Sequence, residues 1–151
     1  MVKSADKLIG KKIIVVGGTS GSAQPPCSHF FIALTPHSIG FGAAQAFIDA
    51  GAKVTVISSN EDRVKDAVKR LDSTNAAGKV GNVREEETFI EVLKSLAPVD
   101  HIVFSSVDKI IRGNLADLDL DNAKHLFGVK FWGAIIVGKG LFKPFTCFEG
   151  Y

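Results

Sequence analysis

The residues best suited to chemistry are the glycines of Gly17-Gly18-Thr19-Ser20-Gly21 and of Ile39-Gly40-Phe41-Gly42. Glycine permits a tight turn and lets backbone N–H groups come close to an anion. A helix that starts directly after such a turn presents its positive end to the same anion, which suits a phosphate or pyrophosphate. Here the two glycine clusters are separated by residues 22–38, a stretch containing Pro25-Pro26, Cys27, His29 and His37. Cys27, His29 and His37 are the types that could gather a soft metal, but a C-x-H-x7-H spacing matches no common site and supplies only three ligands. No metal is therefore assigned.

These residues have to be held by a regular frame, and the chain supplies one. Lys12 to Val16 reads as a strand buried on both faces. From Ile39, the residues Ile39, Ala43, Ala46, Phe47 and Ala50 recur at helical spacing, with Gly51 as a stop. Lys53 to Ser59 is a second strand. The following helix can be capped by Asn60, with Val64, Val68 and Leu71 along one face. A weak third strand is expected around Gly78 to Val80, then a helix with acidic residues in its first turn, where the dipole favours them. His101 to Ser106 reads as a fourth strand, and from Asp121 onwards one long, mostly apolar helix is expected. Strands alternating with helices imply a parallel sheet covered on both faces, with ligands beyond the carboxyl ends of the strands where their order reverses. The Gly17 turn, Ser58 to Asn60, Asn82 and Ser105 to Val107 should then share one rim.

With residues 22–38 set aside, "VVGGTSG" joins "IGFGAAQAF", and the turn resembles the TGxxxGxG fingerprint of the short-chain dehydrogenase/reductase family. Val16 replaces the usual Thr, and Gly17, Gly21 and Gly40 take the motif positions. The resemblance runs from Lys11 to about Lys139. It implies a Rossmann-like α/β fold, a doubly wound parallel sheet that is incomplete here, with about four of seven strands. It also implies a nicotinamide dinucleotide held by Gly17, Thr19, Ser20, Gly21, Ile39, Gly40, Ser58, Ser59, Asn60, Arg63, Asn82, Val83, Ser105, Ser106 and Val107. The second strand normally ends in Asp or Glu where a ribose 2′-hydroxyl is bound. In this chain it ends in Ser58-Ser59-Asn60, with Arg63 one turn into the helix. No carboxylate repels a 2′-phosphate and Arg63 can pair with one, which favours NADP(H) over NAD(H). "GNV" at Gly81 to Val83 stands for the family's "DV" step, and "FSSV" at Phe104 to Val107 departs from its "NNAG".

The catalytic apparatus of the family is not matched. Its helix Asn, which organises a proton relay, aligns with Lys130, and a long cation cannot both donate and accept as an amide does. The strand Ser and the Tyr-x-x-x-Lys pair have no counterpart, since the only tyrosine is Tyr151. No catalytic residue is therefore assigned. An NADP(H)-linked oxidoreductase by resemblance is expected to be inactive as this chain stands and to bind dinucleotide weakly. Two other readings stay open: a non-catalytic nucleotide-binding or dimerising module, and a fragment without function.

Residues 22–38 read as an atypical insertion in a single partial domain, and residues 140–151 as an atypical tail broken by Pro144. The insertion is either a tolerated surface loop or sequence foreign to the fold, such as a retained intron. Doubling a loop costs only about 0.6 kcal/mol in closure entropy, so the fold can survive it. The phosphate turn is less tolerant, because Gly21 and Gly40 must be neighbours. Phe131 and Trp132 are expected in the core or an interface, with homo-oligomer contacts through the long helix and a small-molecule substrate of unread identity. A net charge of +2, with lysines spread out, marks neither a nucleic-acid nor a membrane surface. No run of about 18 apolar residues suggests a membrane span. "IIVV" is too short for a signal-peptide core. Cys27 and Cys147 match no disulfide framework, so a reducing, cytoplasmic setting is expected.

Overall fold

The computed structural model describes residues 7–17, 19, 39–108, 114–117, 119, 121, 124 and 127–142. Its frame is four strands: β1 (Lys12–Val16), β2 (Lys53–Ser58), β3 (Ala76–Val80) and β4 (His101–Phe104). All pair in parallel, in the order β3-β2-β1-β4. The chain thus steps outward from β1 to β3 and then returns to the other side of β1. The reversal lies between β1 and β4. Val16 is in register with Ile57 on one side and Phe104 on the other, which levels the carboxyl ends around the start of the glycine turn.

Alternation along β1 divides the core, because successive side chains of a strand point to opposite faces. Ile13 and Val15 join Val54 and Val56 on one face. They are covered by α1 (Ile39–Asp49) and α2 (Glu61–Leu71) through Phe41, Ala44, Ala67 and Leu71. Ile14 and Val16 join Ile57 on the other face. There α3 (Glu86–Leu96), a π-helical segment Gly128–Gly133 and α4 (Ala134–Phe142) contribute Phe89, Leu93, Val129 and Val137. Every β1 residue after Lys12 is buried, as a strand covered on both sides requires. Burying one such aliphatic side chain is worth about 1.5–3 kcal/mol, so β1 is the main anchor of the sheet. Asp100 fastens its amino end. One carboxylate oxygen accepts from Lys11 Nζ and the other from the Lys12 amide, both at 2.8 Å.

The capping expected at Asn60 is present: its side-chain oxygen accepts the Arg63 amide at 2.9 Å and sets the start of α2. Val64 and Leu71 are buried as expected, joined by Ala67, with Val68 partly buried. Glu86 and Glu87 occupy the first turn of α3.

Several expectations need correction. Of the Ile39, Ala43, Ala46, Phe47 and Ala50 stripe expected on the core face of α1, Phe47 packs against the core, but the buried residues are Gly40, Phe41 and Ala44, and Ile39 is 86% exposed. Phe41, 4% exposed, anchors that face, with the Arg70 guanidinium stacked 4.3 Å from its ring centre. β3 starts at Ala76 rather than near Gly78, because pairing with Val54 recruits it despite an almost wholly exposed run. β4 ends at Phe104, not Ser106. The long helix is present in its described part but is π-helical over Gly128–Gly133. Phe131 and Trp132 are 50% and 58% exposed, so they do not enter the core of this chain.

Candidate functional site

The carboxyl ends of all four strands open on one cleft of about 350 Å³. Val16, Gly17 and Thr19 line it at β1, Ile57, Ser58 and Ser59 at the end of β2, and Arg63 from α2. Gly81, Asn82, Val83 and Arg84 line it after β3, Ser106, Val107 and Asp108 after β4, and Val129 from the π-helical segment. The convergence expected from strand alternation is therefore present, at the point where strand order reverses.

Hydrogen bonds carry the parallel ladder past the strand ends and hold this rim. The Gly17 amide donates to Ile57 O at 2.9 Å, the Gly81 amide to Ser58 O at 2.9 Å, and the Ser105 amide to Val16 O at 2.8 Å. Gly17 has φ +92°, a conformation that side chains rarely adopt, and a Cβ there would meet the Ser106 backbone. The rim is thus closed between β1 and β4 by an approach only glycine allows. Thr19 follows with only 7% of its surface exposed.

Of the residues assigned from sequence, Gly17, Thr19, Ser58, Ser59, Arg63, Asn82, Val83, Ser106 and Val107 line the cleft. Ser20 and Gly21 lie outside the described residues, as do residues 22–38 with Cys27, His29 and His37. Four others do not line it. Ile39 and Gly40 form the first turn of α1, Ile39 facing solvent and Gly40 buried. Asn60 spends its side-chain oxygen on the α2 cap, and Ser105 Oγ donates to Val16 O at 3.2 Å. Lys130 is an exposed residue of the π-helical segment.

Sequence reasoning missed Arg84, Asp108 and Val129. Arg84 and Asp108 form an ion pair, and the Asp108 side chain is only 4% exposed. Its second oxygen accepts the Val129 amide at 2.8 Å. The first two could have been found, since each directly follows an assigned segment. Val129 could not, because only folding brings the helix to the strand ends. Among the described residues, the charged groups lining the cleft are two guanidiniums, Arg63 and Arg84, and one carboxylate, which is engaged by Arg84. This balance suits an anionic ligand. Among the described residues there is no cluster that could hold a metal ion, and no helix is long and apolar enough to cross a membrane.

Known proteins resemble this chain in sequence and, among solved structures, in fold. Short-chain dehydrogenase/reductase fsr5 of Gibberella fujikuroi is 31% identical over 93% of this chain and 52% of its own length. Short-chain dehydrogenase/reductase ucsE of Acremonium sp is 29% identical, over 91% of this chain and 52% of its own. The chain spans about half the length of the curated relatives it matches. Among solved structures, the MalC reductase/Diels-Alderase of Malbranchea aurantiaca superposes with a TM-score of 0.69 at 24% identity, covering 93% of this chain and 53% of that one. An actinorhodin polyketide ketoreductase with NADPH gives a TM-score of 0.66 at 22% identity, over 89% of this chain and 47% of that one. These structural likenesses establish the fold. The family profile for an SDR-like Rossmann domain matches residues 4–146. Because that match takes in the glycine turn, all four strands and the helix that closes the cleft, the chain belongs to the short-chain dehydrogenase/reductase family.

Proposed function

We propose that this chain is the dinucleotide-holding part of a nicotinamide-linked oxidoreductase, with NADP(H) favoured over NAD(H). The observation that carries the reading is the end of β2, where Ser58, Ser59 and Arg63 line the cleft while the neighbouring Glu61 and Asp62 do not. A carboxylate there would accept from a ribose 2′-hydroxyl and repel a 2′-phosphate, whereas a guanidinium pairs with that phosphate. The residues present fit such a group. Gly17 supplies the close backbone turn, Asn82 and Val83 border the cleft after β3, and the lining is rich in donors and positively charged. When bound, the nicotinamide would supply or accept a hydride. The part of this chain is to bind and orient the dinucleotide across the strand ends. The actinorhodin polyketide ketoreductase of the same fold, solved with NADPH, supports the same choice of cofactor.

The proposal includes no proton-transfer group from this chain, whose single tyrosine, Tyr151, lies outside the described residues. Self-association through the long helix belongs to the same reading, supported by Phe127, Phe131, Trp132 and Ile135, all about half exposed or more. Calorimetric titration of the 151-residue chain with NADPH and NADH tests the proposal. Binding of NADPH in preference to NADH is expected, without turnover of a carbonyl panel. Absence of binding by either nucleotide would overturn the nucleotide reading, and turnover would overturn the non-catalytic part.

A further inference from the structure

We infer that Asp108 is a positioning residue that ties three sides of the cleft together and sets its width. Its two carboxylate oxygens are divided between two partners far apart in the chain. One takes the Arg84 guanidinium, from the segment after β3, and the other takes the Val129 amide, in the π-helical segment. Asp108 itself follows β4, and all three residues line the cleft. The tether continues beyond Arg84, whose amide donates to Asn82 Oδ1 at 3.2 Å, while Asn82 Nδ2 donates to Glu85 Oε1 at 2.8 Å. On the opposite side, Gly128 lies against the guanidinium, where a Cβ would stand 3.1 Å from Nη1.

The chemistry of this junction is demanding. A carboxylate this buried is stabilised by both donors, and removing either weakens the balance of charge at the junction. Asparagine is nearly the same shape but accepts at one end only, so its amide N–H groups would face either the guanidinium or the Val129 amide. Glutamate keeps both acceptors but places them one methylene further out. Neither reproduces the junction, which makes Asp108 a residue whose substitution should loosen the cleft without touching the sheet.

The inference rests on the nucleotide reading of the cleft only for the second of its two measurements. In the first, amide exchange at Val129 is followed by NMR in the 151-residue chain without nucleotide. Asp108→Asn should speed that exchange about tenfold, in line with loss of a charge-assisted hydrogen bond. In the second, NADPH is titrated into Asp108→Asn, Arg84→Met and the double variant. Each single change should weaken binding about tenfold and the double no further, because both act through one junction. Unchanged Val129 exchange in Asp108→Asn, or additive losses in the double variant, would overturn the inference. If the parent binds neither NADPH nor NADH, the nucleotide reading fails, and the exchange measurement still decides whether the tether exists. Should Asp108→Asn not fold, Gly128→Ala provides a second route, since the nearest atoms its Cβ would meet are those of the Arg84 guanidinium. It should weaken NADPH binding severalfold without lowering the melting temperature, and unaltered binding would overturn the inference.

Discussion

Gly17 and Ser106 approach so closely that a Cβ at Gly17 would stand 2.5 Å from the Ser106 backbone nitrogen. This contact joins the glycine turn after β1 to the segment after β4, across the point where strand order reverses. Gly17→Ala must accommodate both the clash and the positive φ. It is expected to lower stability by about 1–3 kcal/mol and to abolish measurable NADPH binding. Thermal melting with parallel nucleotide titration checks this, and an alanine variant that melts and binds like the parent would contradict the geometry.

Arg63 borders the cleft from the first turn of α2, with its amide held by Asn60. If it pairs with a 2′-phosphate, Arg63→Ala should cost NADPH about tenfold in affinity, close to 1.4 kcal/mol, and leave NADH unchanged. Comparing the two dissociation constants isolates that phosphate. An equal loss for both nucleotides would remove the basis for preferring NADP(H).

Among the described residues, Phe89 is the largest fully buried side chain, and its ring lies against Gly81, where a Cβ would be 3.2 Å from Cδ2. Phe89→Ala removes that contact as well as core volume. A loss of about 3–5 kcal/mol is expected, a large share of the roughly 5–15 kcal/mol that holds a domain folded. Urea denaturation should show the midpoint falling, with Phe89→Leu intermediate. A loss below about 1 kcal/mol would mean the ring is not packed as described.

Asp100 is held below the ordinary aspartate range, first by its hydrogen bond from Lys11 Nζ and next by that from the Lys12 amide. A lowered folded pKa means the contribution is fully present above the unfolded value, near pH 4, and is lost as pH falls through the folded one. The melting temperature should therefore fall on acidification below about pH 4 more steeply in the parent than in Asp100→Asn. Melting curves that run parallel through that range would show that the Asp100 clamp on β1 is not coupled to folding.

Much of the site could be read in the sequence because it sits at strand ends that local pattern marks. Gly17, Ser58, Asn82 and Ser106 each follow an apolar run, and parallel pairing brings such ends to one rim whatever the side chains do. Ile39 shows where pattern alone misleads. At helical spacing it belongs to an apolar stripe, yet packing rotates α1 so that Phe41 and Ala44 meet the sheet and Ile39 faces solvent.

The sequence by itself determined the alternation of strands and helices, the burial of β1, the Asn60 cap and the family to which the glycine turn points. Each depends on residues within a few positions of one another. Only the tertiary structure decided that β4 returns beside β1, that the helix segment at Val129 closes the cleft, and that Asp108 joins it to Arg84. Those contacts span 21 and 24 residues of chain. No local periodicity encodes them, because they form only when burial of two separate faces of the sheet draws distant segments together.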